Sequence, residues 1–137
     1  MVDELDLKII DTLIKNPNVK LDDITNYLRI PRSTVAMRIK KLKEYGILKE
    51  CYYVESSLIS YDDIIIGLDI KPENLLDVIS ELEKMEYVKE IYMTTGDHVA
   101  IIRILIERDK TKEIIDGIKS IEGIRNVYPA IVQKRIK

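Results

Sequence analysis

Six basic side chains fall between residues 29 and 43: Arg29, Arg32, Arg38, Lys40, Lys41 and Lys43, with no carboxylate among them. The chain as a whole carries a net charge of -2. A local excess of positive charge on an acidic background is the chemistry of a surface that meets an anionic partner. On a helical wheel at about 100° per residue, Val35, Ile39 and Leu42 form a narrow apolar stripe. Ser33, Met37 and Lys40 point the opposite way, flanked by Thr34, Arg38 and Lys41. Taken alone, a Lys/Arg-rich helix face is more often merely solvated, so its neighbours decide how it is read.

Other chemistry is sparse. His98 beside Asp97 has the form of an acid/base pair, although a lone histidine in a loop is more often structural. One histidine and one cysteine leave too few soft ligands for a dedicated zinc site, and Cys51 has no second cysteine to pair with. Cys51 therefore reads as a small packing residue. No catalytic group, metal site or cofactor is expected.

The elements around the basic face sharpen its meaning. Leu5, Ile9, Ile10, Leu13 and Ile14 have helical spacing and are stopped by Lys15-Asn16-Pro17-Asn18. Leu21, Ile24 and Leu28 form a second stripe, with Asp22 and Asp23 at the positive end of that helix. Arg29-Ile30-Pro31 makes a tight connection, because the residue before proline is biased out of the helical region. The third helix runs from Pro31 to Gly46, where glycine suits a left-handed stop. Two short helices joined by a tight turn, the second one basic, make a helix-turn-helix. Ile47 to Val54 is rich in strand formers and predicts a short strand or hairpin, completing a winged helix-turn-helix over residues 1–55 with a linker near 56–60.

Double-stranded DNA is the partner this layout implies. Arg32, Lys40 and Lys41 are expected on phosphates, and Ser33, Thr34, Met37 and Arg38 nearest the base edges. Arg38 has an equally weighted second role, an ion pair that orients the helix, because it lies on the flank of the wheel.

The 137 residues, 46% hydrophobic and 34% charged, suffice for one domain or two small ones. No run of about 18 apolar residues occurs, and the acidic start Met1-Val2-Asp3-Glu4 lacks the basic opening of an export signal. A cytoplasmic protein with no membrane partner is expected. Residues 1–60 hold ten basic and nine acidic side chains, the remainder twelve and fifteen.

The second half repeats itself with an offset of 36 residues. Ile64–Ile70 lies over Ala100–Ile106, Val78-Ile79 over Ile114-Ile115, and Val88–Tyr92 over Ile124–Tyr128. Each copy reads strand, helix, strand, with Pro72-Glu73 opening one helix and Asp109 a cap candidate for the other. Residues 61–137 are thus predicted to form a ferredoxin-like β-α-β-β-α-β domain, and the whole chain an α+β protein. Ile101, Ile102, Ile104, Leu105 and Ile106 place apolar groups on both faces of one strand, so a second copy is expected to cover the face without helices.

At this point the chain resembles the Lrp/AsnC, or feast/famine, family of bacterial and archaeal transcription regulators, with an archaeal source expected. The residues that carry the resemblance are Leu5-Asp6 with Ile9-Ile10 and Leu13, the run Val35 to Gly46 followed by Ile47, and Thr95-Gly96-Asp97 after a strand. It covers essentially the whole chain. The resemblance implies sequence-specific DNA binding by the N-terminal module and dimers through the C-terminal domain, with assembly into tetramers or octamers. It also implies an amino acid or similar small effector between C-terminal domains, placed by the matching motif at Thr95, Gly96, Asp97 and the adjoining His98. The chain departs from the family pattern at Pro31, where serine is frequent, and at His98-Val99, where an aromatic and a second Asp are frequent. The second departure removes one carboxylate partner for an amino-acid ammonium. Two competing classes are a tetrapyrrole decarboxylase-like enzyme, as in some chains resembling this family, and an effector sensor that binds other proteins.

Many Ile, Lys and Glu beside a single glutamine, Gln133, give the compositional signature of a thermophile, although an AT-rich genome also enriches Ile and Lys. The thermophile reading predicts a melting midpoint above about 65 °C by calorimetry; a midpoint in the ordinary mesophile range assigns the bias to the genome instead.

Overall fold

The computed structural model describes all residues 1–137, in two compact units, Met1–Tyr53 and Val54–Lys137. The first unit is three helices, α1 (Glu4–Lys15), α2 (Leu21–Leu28) and α3 (Arg32–Glu44). Ile9, Ile24 and Val35, one from each helix, are closed to solvent, with Leu5, Leu13, Val19, Leu21, Leu28, Ile30 and Ile39 around them. Each is an aliphatic side chain whose burial contributes roughly 1.5–3 kcal/mol.

Local chemistry fixes the ends of these helices. At the start of α1 the Asp6 N–H donates to the Asp3 carboxylate at 2.9 Å and the Asp3 N–H donates to the Asp6 carboxylate at 3.0 Å, a reciprocal capping box. Between α2 and α3 the chain turns through Arg29, which adopts the left-handed conformation (φ 55°, ψ 45°). Pro31, with φ -57°, caps α3 as its carbonyl accepts from the Thr34 and Val35 N–H groups. The helix stops at Gly46 (φ +70°), past which the Ile47 and Leu48 N–H groups donate to the Leu42 carbonyl at 3.0 Å.

The strand expected over Ile47–Val54 does not form. Strand propensity is realised only where a partner supplies a hydrogen-bond ladder and a surface, and the first unit contains no strand to supply either. Tyr52 and Cys51 accordingly lie exposed, so Cys51 is not the packing residue its type suggests.

The second unit is a four-stranded sheet with two helices: β1 (Tyr61–Ile70), α4 (Leu75–Glu83), β2 (Val88–Met93), β3 (Ala100–Glu107), α5 (Thr111–Lys119) and β4 (Ile124–Ile131). Strand order is β2-β3-β1-β4 and every neighbouring pair is antiparallel. The first residues of α4 and α5, and of β2 and β4, are each 36 positions apart, as the repeat requires. Single 3-10 turns, Pro72–Asn74 and Arg108–Lys110, precede the two helices. Asp109 therefore sits in a turn and not at the cap of α5, which is Lys110 with no side-chain cap bond.

Alternation along the strands separates two faces. Ile64, Ile66 and Leu68 of β1 and Ile102 and Ile104 of β3 are fully buried together with Val78 and Leu82 of α4 and Ile118 of α5. The other face carries Ile65, Ile101 and Leu105, with Tyr92 and Tyr128 on the outer strands and Ile65 still 42% exposed. Within this apolar surface Asp63, only 1% exposed, is held by Arg103 through Nε to Oδ1 at 2.8 Å and Nη2 to Oδ2 at 2.6 Å. Arg103 also lies 3.7 Å from Glu90, its register neighbour on β2. The sheet ends in a register irregularity between Val88 and Glu90 on β2 and in β4, which contains Pro129.

Candidate nucleic-acid interface

The wheel expected for α3 is the one it adopts. Val35 and Leu42 face the core, Ile39 packs beside them, and Ser33, Ala36, Met37, Lys40 and Lys41 are exposed, with Thr34 half-buried. Ala36, exposed on the flank of this face, was not singled out from the sequence. The first turn has no acidic residue of its own and no side-chain cap, so its leading N–H groups lack a side-chain acceptor.

The cations on this face are lightly engaged. Arg32 pairs with Asp22 at 3.0 Å, both about two-thirds exposed, and Lys40 stands 3.9 Å from Glu44. Lys43 pairs with Glu50 and holds that carboxyl below its usual range. Lys41 makes no ion pair. Exposed pairs of this kind contribute little and yield readily to a phosphate.

Arg38 behaves differently. Of the two roles open to it from the sequence, it makes the orienting ion pair: its Nη1 donates to Asp3 and, at 3.1 Å, to Asp6. Only 26% of its side chain is exposed. The Arg38 hydrogen bond, followed by the Asp6 backbone N–H, takes the Asp3 carboxyl down to about 2, and the two carboxylates raise Arg38 in turn. Beside the pair lies a cleft of about 210 Å³ lined among others by Met1, Asp3, Met37, Lys41 and Tyr45. Asp3 and Asp6 were not read as partners of Arg38, because the sequence signals only the local capping box while the ion pair spans more than 30 residues.

The residues expected around an effector meet in the loop between β2 and β3. The Thr94 hydroxyl donates to the His98 carbonyl at 2.6 Å, the Thr94 N–H donates to the Val99 carbonyl at 3.0 Å, and Gly96 has φ +116°. Thr95, Gly96 and Asp97 are exposed. The His98 ring instead folds over β1 at Gly67, where a Cβ would come within 2.6 Å of it, and its centroid is 5.0 Å from that of Tyr128. Its Nδ1 is buried without a hydrogen-bond partner, and no hydrogen bond joins the ring to Asp97, so the two do not form an acid/base pair. Gly67 and Tyr128 escaped the sequence reading. A glycine inside an isoleucine-rich strand was the available sign of a close approach.

A tri-helical helix-turn-helix unit with an acid-free outer helix face, followed by a ferredoxin-like domain, defines the class as a DNA-binding regulator with an attached ligand-type domain. Residues 2–49 match the family model described as winged helix-turn-helix DNA-binding, and residues 63–137 match the Lrp/AsnC ligand binding domain. The HTH-type transcriptional regulator LrpA of Pyrococcus abyssi is 35% identical over the full length of both chains. The regulator FL11 of Pyrococcus furiosus is 31% identical, covering 98% of this chain and 91% of its own. The crystal structure of PH0061 superposes with a TM-score of 0.86 at 26% identity, covering 100% of this chain and 96% of that one. E. coli AsnC shares the fold, with a TM-score of 0.72 at 22% identity over 100% and 95% of the two chains. The chain belongs to the Lrp/AsnC family of DNA-binding transcriptional regulators. No helix is long and apolar enough to cross a membrane.

The Asp3–Arg38 contact has a measurable signature in acid. Because Asp3 titrates at about 2 when folded and near 3.8 otherwise, its stabilising effect is complete above about 3.8 and is lost as the pH falls from there toward 2. NMR titration is expected to find the Asp3 carboxyl near 2 in the native chain and displaced upward in Arg38→Gln; an unmoved titration would exclude Arg38 as the cause.

Proposed function

We propose that residues 1–55 bind duplex DNA with α3 in the major groove and that residues 61–137 pair two copies through the sheet face that carries Ile65, Ile101 and Leu105. The observation that carries the reading is the exposed, acid-free surface of Ser33, Met37, Lys40 and Lys41 opposite the buried Val35 and Leu42. Arg32, Lys40 and Lys41 contact phosphates. Ser33 and Thr34 offer hydroxyls to base edges, and Met37 offers apolar contact, for instance to a thymine methyl. Arg38, engaged by α1, is left out of base reading. The protein acts in the cytoplasm as a regulator and not as an enzyme, since its relatives are described as transcriptional regulators. A small effector, an amino acid or a similar molecule, binds at the loop of Thr95, Gly96, Asp97 and His98. A Neisseria meningitidis regulator of similar fold was crystallised as an L-Met complex, with a TM-score of 0.76 at 18% identity over 100% and 93% of the two chains. Higher assembly to tetramers or octamers rests on the family likeness alone.

Lys41→Ala is expected to weaken binding to all sequences alike and to lower the salt slope by about one; an unchanged slope would remove Lys41 from the phosphate contacts. A symmetric dimer requires an imperfect palindrome whose half-sites lie about one helical turn, roughly 10 base pairs, apart. Selection from a random duplex pool identifies that site. Inserting five base pairs between its halves turns one by about half a turn and is expected to weaken binding sharply, whereas unchanged affinity would mean that each chain binds alone.

A further inference from the structure

Arg38 is the cation of α3 that points at protein. Its Nη1 meets Asp3 and Asp6 together, so one positive charge faces two carboxylates and the cluster is net negative. Both hydrogen bonds run through Nη1. Met37 and Lys41, which belong to the exposed face of α3, line the same cleft as Arg38, so a released guanidinium would lie beside any duplex docked on that face. The carboxylates are themselves held in place. Asp3 and Asp6 are the two members of the capping box of α1, and Asp6 is buried, so the cap itself holds the two carboxylates beside Arg38.

We infer, resting on the reading of α3 as the DNA-contacting helix, that Asp3 and Asp6 are specificity-determining positioning residues that mask Arg38 as a phosphate contact. A phosphate contact strengthens binding to every sequence, so an extra one raises the background without adding discrimination. The capping box thereby keeps a strong cation off the DNA backbone and uses it to fix the angle of α3 to α1. Discrimination is then left to Ser33, Thr34 and Met37.

Asparagine caps a helix about as well as aspartate, so Asp3→Asn and the double variant Asp3→Asn/Asp6→Asn remove charge with little loss of the cap. Binding is measured against salt concentration, with a random-sequence duplex and with a duplex recovered by selection. The variants are expected to bind the random duplex several-fold more tightly, with a salt slope steeper by about 0.9, and to gain less on the selected duplex because α3 loses its tie to α1. Adding Arg38→Gln to the double variant is expected to abolish the extra slope. A slope that does not steepen overturns the inference, as does an increase that survives Arg38→Gln, which would report only the loss of acidic charge. If the buried Asp6 change unfolds α1 by circular dichroism, Asp3→Asn alone, which leaves Arg38 only Asp6, is expected to steepen the slope by a smaller amount that Arg38→Gln again abolishes, and no steepening overturns the inference. Lys41→Ala separates the two levels: a lowered slope there with unmoved Asn variants defeats the inference alone, while a slope unmoved in Arg32→Gln, Lys40→Ala and Lys41→Ala alike defeats the reading of α3 as well.

Discussion

Both units depend on the packing of branched aliphatic side chains. The sequence has no Trp and no Phe, and every large side chain that is fully buried in a core is Ile, Leu or Val. Isoleucine and valine are stiff at χ1, so they fill space with few alternative shapes and lose little rotamer freedom on burial. A core built this way is intolerant of register error. Slipping β1 by one residue would send Ile64, Ile66 and Leu68 to the face now occupied by Asp63, Ile65 and Gly67, and would bring the His98 ring against a side chain where it now meets only a glycine.

Features of short range or strict period were legible in the sequence. The 36-residue repeat placed all four strands and both helices of the second unit, because each element buries one periodic face and the two copies do so in the same order. The stripe of Val35, Ile39 and Leu42 placed the outer face of α3 for the same reason. What escaped depended on groups distant in sequence or missing from the chain. The run Ile47–Val54 has the composition of a strand, but its unit offers nothing to pair with. Asp3 and Asp6 meet Arg38 across more than 30 residues, a separation that no local pattern signals. His98 looked like a loop group beside Asp97, while its neighbours in space, Gly67 and Tyr128, lie about 30 residues away on either side.

The basic surface of α3 arises by segregation and not by excess. Residues 1–60 carry nearly equal numbers of the two signs, yet the acids collect at the starts of α1 and α2 and leave Arg29 to Lys43 without one. Carboxylates at helix N-termini are favourable in their own right, so the same arrangement that stabilises the helices also clears the outer face of α3 of negative charge. A field built from position lets a chain whose net charge is -2 present a basic patch to a polyanion.

The two outer strands of the sheet show how it ends without being covered. An open strand edge is a template on which other chains can polymerise, and no further strand pairs outside β2 or β4. On β2 the ladder is broken between Val88 and Glu90, where Lys89 adds a charge. On β4 Pro129 lacks the N–H that a further strand would need at that point. The two halves of the repeat thus carry different edge chemistry on equivalent strands. Each leaves the backbone unfit for indefinite stacking, one edge by a broken ladder and a charge, the other by a missing donor.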